Sequence, residues 1–450
     1  MSDQSDLEQF ASADSGGERQ PAERESEDPD PEEHGTARFP SLPTDWEIKR
    51  LDQVATVQGG STPSTDEDEY WGGDILWATP TDLTELQGNT ISDTEDKITE
   101  AGLESTSTHV LPPNSVLLTS RAGIGKCAVN TVPMATNQGF QSLIPGEELN
   151  TWYLYYVITE MAPYLESIGS GSTFSEISKR VVQRIEIPVP PIEEQLRIAS
   201  VLRNVSLTTG KTEQNTLQLE RFQKGLMQEL FTMGTNPSRA QKETPFGEIP
   251  EGWDFSNVGD HIELISGAHV KSDDVCGDTS LTPYITGPAD FTRMGIEVSK
   301  YTDKPTTFCE QGDILVTVKG SGCGKVSLAD KRVCISRQLK ALRPTDIDRD
   351  FLYYYLKYRE DQLRTQAEGS AIPGLANSHI NTFSIPLPSP KEQRQIGDAL
   401  RAVDEQISHS ETYHSELVKT KAGVRKDLIS GKVRINTGHI QVIDEVLVDG

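Results

Sequence analysis

Residues 187–202 read IPVPPIEEQLRIASVL, and residues 385–400 read IPLPSPKEQRQIGDAL. Seven of the sixteen positions are identical at an offset of 198, where about one is expected at average composition. The chain therefore carries an internal repeat, and the match extends outward from this core. Trp152-Tyr-Leu-Tyr-Tyr-Val157 corresponds to Phe351-Leu-Tyr-Tyr-Tyr-Leu356, and Ser115-Val-Leu-Leu-Thr-Ser-Arg121 to Asp313-Ile-Leu-Val-Thr-Val-Lys319. Pro43-Thr-Asp-Trp46 matches Pro250-Glu-Gly-Trp253 near the start of each half.

Each repeat is a mixed α and β segment followed by a long helical connector. Short apolar runs bounded by Gly, Pro or Asn read as strands: Ile75–Thr79, Val116–Ser120, Ala128–Asn130 and Phe140–Ile144, then Ile314–Val318, Val326–Leu328 and Val333–Ile335. Thr151–Leu165 and Asp350–Leu363 read as amphipathic, aromatic-rich helices. Ser389-Pro390-Lys391-Glu392 has the form of a capping box with Pro at the first helical position. Beyond it Ile396, Leu400, Val403, Ile407, Ser410, His414, Leu417, Lys421, Val424 and Leu428 fall at alternating +4 and +3 steps, a heptad seam with polar interruptions. The first connector repeats it with Ile198, Leu202, Val205, Thr209, Thr212, Thr216, Leu219, Gln223, Leu226 and Leu230.

About 40 residues at 1.5 Å per residue make a rod of roughly 60 Å. Two such rods in one chain can bury their seams against each other as an antiparallel coiled coil, and two similar units then acquire an internal pseudo-twofold axis. The alternative is that each helix packs on its own globular unit, but a seam this long exceeds what one small domain covers. The expected class is α+β. The expected domains are an acidic tail over 1–37, a first mixed α/β domain over 38–187, a connector helix over 188–232 and a linker over 233–247. A second domain over 248–387, a connector helix over 388–434 and a tail over 435–450 complete the chain.

Composition bounds the function. The 450 residues hold 69 Asp and Glu against 42 Lys and Arg, a formal charge of −27. Residues 1–37 alone hold 12 acidic and 2 basic residues, without apolar periodicity, and read as a disordered tail. No apolar run approaches the roughly 20 residues of a membrane span, and the N-terminus has no basic segment ahead of an apolar core. The five cysteines form no C-x-x-C pair and are odd in number, so a reducing cytoplasm is expected rather than a disulfide framework or a zinc site. An acidic surface with only 20 lysines suggests a salt-adapted, halophilic protein.

Catalytic signatures fail on inspection. Gly320-Ser-Gly-Cys-Gly-Lys325 resembles a phosphate loop, but the first required glycine falls on Lys319 and Val326 follows the lysine. The eight histidines form no metal-ligand spacing, and no G-x-S-x-G occurs. Ile187-Pro-Val-Pro-Pro191 lacks the amide that holds a flipped base in an adenine-methylating motif. No catalytic residue, metal or cofactor is assigned.

What remains is a basic, Gly-rich turn between strands, present twice. The first is Ser120-Arg121-Ala-Gly-Ile-Gly-Lys126, and the second is Val318-Lys319-Gly-Ser-Gly-Cys-Gly-Lys325. Glycines let backbone approach a phosphate, and Arg and Lys supply charge and base-edge hydrogen bonds. Lys331, Arg332, Arg337 and Lys340 add to the second, while Asn137 and Gln138 are amides suited to an adenine edge. The candidate DNA-binding residues are Ser120, Arg121, Lys126, Asn137, Gln138, Lys319, Lys325 and Arg337. The plain alternative is two ordinary hairpin turns with solvated charges.

Four segments carry a resemblance to a known family. They are Tyr70-Trp-Gly-Gly-Asp-Ile-Leu-Trp-Ala-Thr-Pro-Thr-Asp-Leu83, Leu111-Pro-Pro-Asn-Ser-Val-Leu-Leu-Thr-Ser-Arg-Ala-Gly-Ile-Gly-Lys126, Thr136-Asn-Gln-Gly-Phe-Gln141 and Ile187-Pro-Val-Pro-Pro-Ile-Glu-Glu-Gln195. The chain resembles, over roughly 40–434, the specificity subunit of Type I restriction–modification systems. The second half departs, with Lys319 for Arg121 and Ser336-Arg337-Gln338 for Asn137-Gln138-Gly139, and it lacks the Trp-Ala-Thr-Pro segment.

That resemblance implies two target recognition domains, each binding one half of a split site in double-stranded DNA. It implies paired helices that space them and dock two methyltransferase subunits, with restriction subunits in the wider complex. Methyl transfer and ATP-driven cleavage then belong to the partners, and this chain is not an enzyme. A 60 Å rod is under two turns of duplex at about 34 Å each, so the half-sites lie on nearly the same face. The acidic balance conflicts with phosphate neutralisation unless a locally basic edge does the reading. The other class of reading is a duplicated interaction module that binds methyltransferase subunits without reading DNA.

Overall fold

The computed structural model describes residues 39, 41–170, 176–244, 247–320, 322–368 and 374–435. The expected acidic tail over 1–37 and all but the first residue of the 435–450 tail lie outside them. The chain divides into two units, Met1–Arg203 with Val424–Gly450, and Asn204–Gly423.

Prolines at 188, 190 and 191 explain the start of the repeat core. Pro188 cannot donate to a sheet ladder, so its strand Glu186–Val189 pairs with one neighbour only, Glu47–Arg50, antiparallel. Pro386 sits the same way in Ser384–Leu387, paired with Asp254–Asn257. The long helices Ile192–Met233 and Pro390–Ile429 begin immediately afterwards, where a proline costs no intrahelical bond.

In unit 1 a five-stranded sheet runs in the order Ala55–Gly59, Gln141–Pro145, Val116–Leu118, Cys127–Asn130, Thr90–Ile91. A three-stranded sheet, Lys97–Ile98, Trp71–Ala78, Ala135–Thr136, sits beside it in the chain order. Unit 2 repeats the first sheet as Ile262–Ser266, Leu339–Pro344, Ile314–Thr317, Val326–Leu328. The Thr151–Ser170 helix buries Tyr153, Leu154, Tyr156, Val157 and Ile158 in the unit 1 core.

The expected single helix over Asp350–Leu363 is two helices, Arg349–Tyr358 and Glu360–Glu368. Arg359 leaves helical geometry at φ −104° and ψ 15°, and the Glu360 carboxylate instead accepts the Val326 backbone N–H at 2.9 Å. The repeat register also shifts by one. Asn150 and Asp348 cap their helices by accepting the N–H of Tyr153 and Phe351, both at 3.0 Å. Tyr153 therefore matches Phe351, not Leu352. The second turn holds one residue more than the first, and the chain recovers the 198 spacing before Asp348.

A buried Glu-Gln pair joins each long helix to its unit. Gln195 Nε2 donates to the Pro190 carbonyl and Gln393 Nε2 to that of Pro388, at 2.8 and 3.0 Å. Their Oε1 atoms accept the N–H of Asn150 and Asp348, at 2.8 and 2.9 Å. Trp46 and Trp253 donate their indole N–H to Glu194 and Glu392, at 3.0 and 3.1 Å. Arg434, just past the end of the second long helix, forks onto Glu194 at 2.6 and 2.7 Å. Arg239, just past the end of the first, binds Glu392 at 3.0 Å. Within each unit, the start of one long helix thus meets the end of the other.

Each long helix is terminated by a left-handed glycine. A Cβ on Gly234, at φ +70°, would lie 2.6 Å from Glu392 Oε1, and one on Gly431, at φ +69°, 2.4 Å from Pro43 Cδ. The expected capping box at Ser389 forms by half: Ser389 Oγ accepts the Glu392 N–H at 3.4 Å. The Glu392 side chain is spent on Trp253, Arg239 and Thr235 instead.

None of the twenty seam positions is exposed, but their surroundings differ. Ile198, Leu202 and Leu428, with Val424 packed against them, belong to the unit 1 core. Ile396 and Leu400, with Leu226 and Leu230, belong to the unit 2 core. Between them, in unit 2, Thr216 and Ser410 hydroxyls meet at 2.7 Å and Gln223 Nε2 donates to Asp404 Oδ1 at 2.8 Å. Position rises along one helix as it falls along the other, so this stretch is antiparallel. Ile407 is fully buried there, while Val205, Val403 and Leu417 are half-buried.

Glu392 titrates usefully. Burial raises its carboxyl, but the Thr235 N–H, Arg239 and Trp253 outweigh burial and hold it below its ordinary 4.5. A depressed folded value stabilises above the unfolded one and is lost as pH falls through the folded one. Glu392→Gln is expected to lower stability at pH 7 by about 3 kcal/mol. Urea titrations should show the gap between parent and variant closing as pH falls below 4.5.

Candidate nucleic-acid interface

Both Gly-rich turns are built by the same hydrogen bonds. Thr119 and Thr317 each donate a backbone N–H to the lysine ending the turn, Lys126 and Lys325, at 2.9 Å in both units. Gly125 and Gly324 return an N–H to Thr119 and Thr317, at 3.1 and 2.8 Å. Ser120 and Val318 donate to the carbonyls of Gly139 and Gln338, at 2.8 and 2.7 Å. Their own carbonyls accept the N–H of Ile177 and Leu375, at 2.9 and 3.0 Å. Two backbone bonds thus close each turn on itself, and two more fix it against neighbouring segments.

The glycines are required by close approach. Gly125 lies at φ +89° against Ala162, and Gly324 at φ +93° against the Arg364 nitrogen, where an added Cβ would sit 3.1 and 3.0 Å away. Gly320, at φ +88°, has open space around it. Gly322 is crowded from another direction, with an added Cβ 2.4 Å from Pro288 Cγ.

Lys126, Lys319, Lys325 and Arg337 are exposed and Arg121 is half-buried. Among the described residues none of the five has a carboxylate within 4.0 Å, although Lys126 Nζ donates to the Thr84 hydroxyl at 3.0 Å. Arg121 and Lys126 stand at the two ends of the unit 1 turn, and Lys319 and Lys325 at those of the unit 2 turn.

The other sequence-selected residues divide. Ser120 is fully buried, with a hydroxyl that has no partner among the described residues, and so faces no solvent. Asn137 is half-buried, and its Oδ1 accepts the Gly139 N–H at 2.8 Å, so that atom shapes the turn. Gln138 is exposed, with its carbonyl oxygen accepting from Thr62.

Sequence reasoning passed over the burial of Lys340, which it counted among the charges near the second turn, and the places of Arg293 and Asp404. Lys340 is only 8% exposed, on the strand beside the second turn. Burial first, and the charge of Lys319 second, push its ammonium below the usual lysine range. Arg293 leaves its domain to bind Glu220, Glu411 at 2.9 Å and Asp404 at 3.4 Å. Asp404 is fully buried and also accepts the Tyr354 hydroxyl at 2.9 Å, with Lys357 at 3.5 Å. A lone Arg in a loop and an Asp beside a heptad position carry no periodic signal. Among the described residues no group of His, Cys, Asp and Glu is placed to hold a metal, and no helix is long and apolar enough to cross a membrane.

Two turns of one design, each with unneutralised cations, fit an anionic polymer better than a small molecule. A family model for the Type I restriction modification DNA specificity domain matches residues 43–221 and 250–418. The chain belongs to that family. The specificity subunit of the Type I restriction enzyme MjaIX from Methanocaldococcus jannaschii is 28% identical over 417 residues, covering 88% of this chain and 95% of its own. The EcoR124I/EcoR124II specificity subunit of Escherichia coli is 32% identical over 187 residues, 40% of this chain and 45% of its own. The S subunit of a Type I restriction–modification system from M. genitalium shares the fold with a TM-score of 0.60 at 16% identity, over 86% of this chain and 98% of that one. A chain solved in work on complex assembly and conformational transition of the type I R-M system shares it with a TM-score of 0.56 at 20% identity, over 87% and 100%. The two matched segments each contain one of the paired turns, so the specificity domain occurs twice here.

The two glycines of the second turn separate strain from crowding. Gly324→Ala meets both an unfavourable φ and backbone atoms that cannot yield, and is expected to cost about 3 kcal/mol. Gly320→Ala meets the φ penalty alone, about 1–2 kcal/mol. Denaturant midpoints of the two variants should order them so.

Proposed function

We propose that this chain is the DNA-specificity subunit of a Type I restriction–modification complex and that it reads a bipartite site. Residues 38–187 and 248–387 act as target recognition domains, each presenting its turn to one half-site. Arg121, Lys126, Lys319, Lys325 and Arg337 face DNA, with Gln138 beside the first turn. The observation that carries this reading is the repetition of one hydrogen-bonded, cation-bearing turn in both copies of a DNA specificity domain.

The long helices serve as spacer and docking surface for methyltransferase subunits, two by the symmetry of the repeat, with restriction subunits joining the complex. Helix length then sets the gap between half-sites. This chain directs chemistry that its partners perform, and it works in the cytoplasm, where the DNA is. The net charge of −27 suits a salt-rich interior. There counterion release contributes little to affinity, and base contacts at a local basic edge carry more of it.

Charge-removing pairs test the assignment. Arg121→Gln with Lys126→Gln, and Lys319→Gln with Lys325→Gln, are each expected to abolish specific duplex binding while co-purification of methyltransferase subunits is retained. Binding equal to the parent sinks the site assignment. Sequencing methylated adenines in the host genome is expected to give a motif in two parts, and one uninterrupted motif sinks the bipartite reading.

A further inference from the structure

Several partly buried cations in unit 2 are matched by carboxylates. Arg343 pairs with Asp313 at 2.9 Å, Lys357 with Asp404 at 3.5 Å and Arg293 with three acids. Lys340 has none. Its Nζ donates to Ser266 Oγ at 2.9 Å and to Asn377 Oδ1, both neutral. The charge of Lys319 acts on it, and the Lys319 backbone bridges Gly374. Among the described residues neither lysine has a carboxylate within 4.0 Å. An ammonium taken from water without a counter-charge is costly, and a second cation beside it adds to the cost. Two neutral acceptors use two of its three donors and leave one free.

Unit 1 has Gln141 and Lys179 at the positions that correspond to Lys340 and Asn377. The strand register Ser266 with Lys340 corresponds to Gly59 with Gln141, so an amide stands where Lys340 stands. Asn377 corresponds in turn to Lys179, from the shared bonds at Ile177 and Leu375. Gln141 Oε1 is buried with no partner among the described residues.

We propose that Lys340 and Lys319 together form a phosphate-binding site that grips one phosphodiester of the DNA half-site read by unit 2. Lys340 supplies its free donor from a fixed position, held by Ser266 and Asn377, and Lys319 closes from the solvent side. The phosphate supplies the missing counter-charge. The inference rests on the DNA reading above and names where that reading is anchored.

The test uses the full chain and a duplex carrying the host's methylated motif, with affinity measured across a salt series. Lys340→Met and Lys319→Met are each expected to weaken binding about tenfold at low salt and to reduce the salt slope by about 0.9. Melting of the DNA-free protein should be unchanged or raised in Lys340→Met, since an unmatched buried cation is removed. Lys340→Arg should keep most of the slope. A Lys340→Met protein with the parent's affinity and slope overturns the site. So does one that melts lower while Lys319→Met keeps the parent slope, which marks Lys340 as structural. A parent chain that binds no duplex overturns the DNA reading itself, an outcome distinct from failure of these variants alone.

Discussion

Glu194 and Glu392 are carboxylates withdrawn from water in the first turn of a long helix, 4% and 6% exposed. Such a group persists only where every lone pair is answered. Here an indole N–H, an arginine and the helix's own N-terminal field answer it. The arginine comes from beyond the end of the other long helix, so satisfying one carboxylate fixes which helix ends meet within a unit. The neighbouring glutamine fastens the same turn to the aromatic helix through Asn150 or Asp348. Remove the pair and the helix start, the edge strand and the aromatic helix lose their common anchor.

From that anchor the rest of each unit follows. The edge strand ends in prolines that release the helix, and the Gly-rich turn packs on the aromatic helix in unit 1 and on the helix that follows it in unit 2. Ala162 and the backbone of Arg364 press on Gly125 and Gly324 from the helix side.

The two copies have diverged where they touch the long helices. Unit 2 buries Asp404 among Tyr354, Lys357, Gln223 and Arg293, whereas Ser206 and Lys421 hold the positions corresponding to Asp404 and Gln223. Unit 1 instead joins Arg425 to Glu160 at 2.7 Å. Polar layers of this kind specify register where an all-apolar seam would slide. The shared frame tolerates such differences because the carboxylate anchors at the helix starts are kept in both copies.

The repeat, the long helices and the paired turns were legible in the sequence because each is periodic or local: identity at a fixed offset, apolar steps of three and four, glycines between β-prone runs. The family followed from the same segments. Tertiary structure alone decided the matters that depend on partners distant in the chain. It broke the helix at Arg359, moved the register by one residue, diverted Glu392 from its capping box to Trp253 and Arg239, and engaged the Asn137 side-chain oxygen with the Gly139 N–H. It also withdrew Lys340 from water while leaving Lys319 exposed. In one dimension those lysines are indistinguishable charges on neighbouring strands; burial and the absence of a counter-ion are properties of what surrounds a side chain, and neighbours are assigned only when the chain has folded.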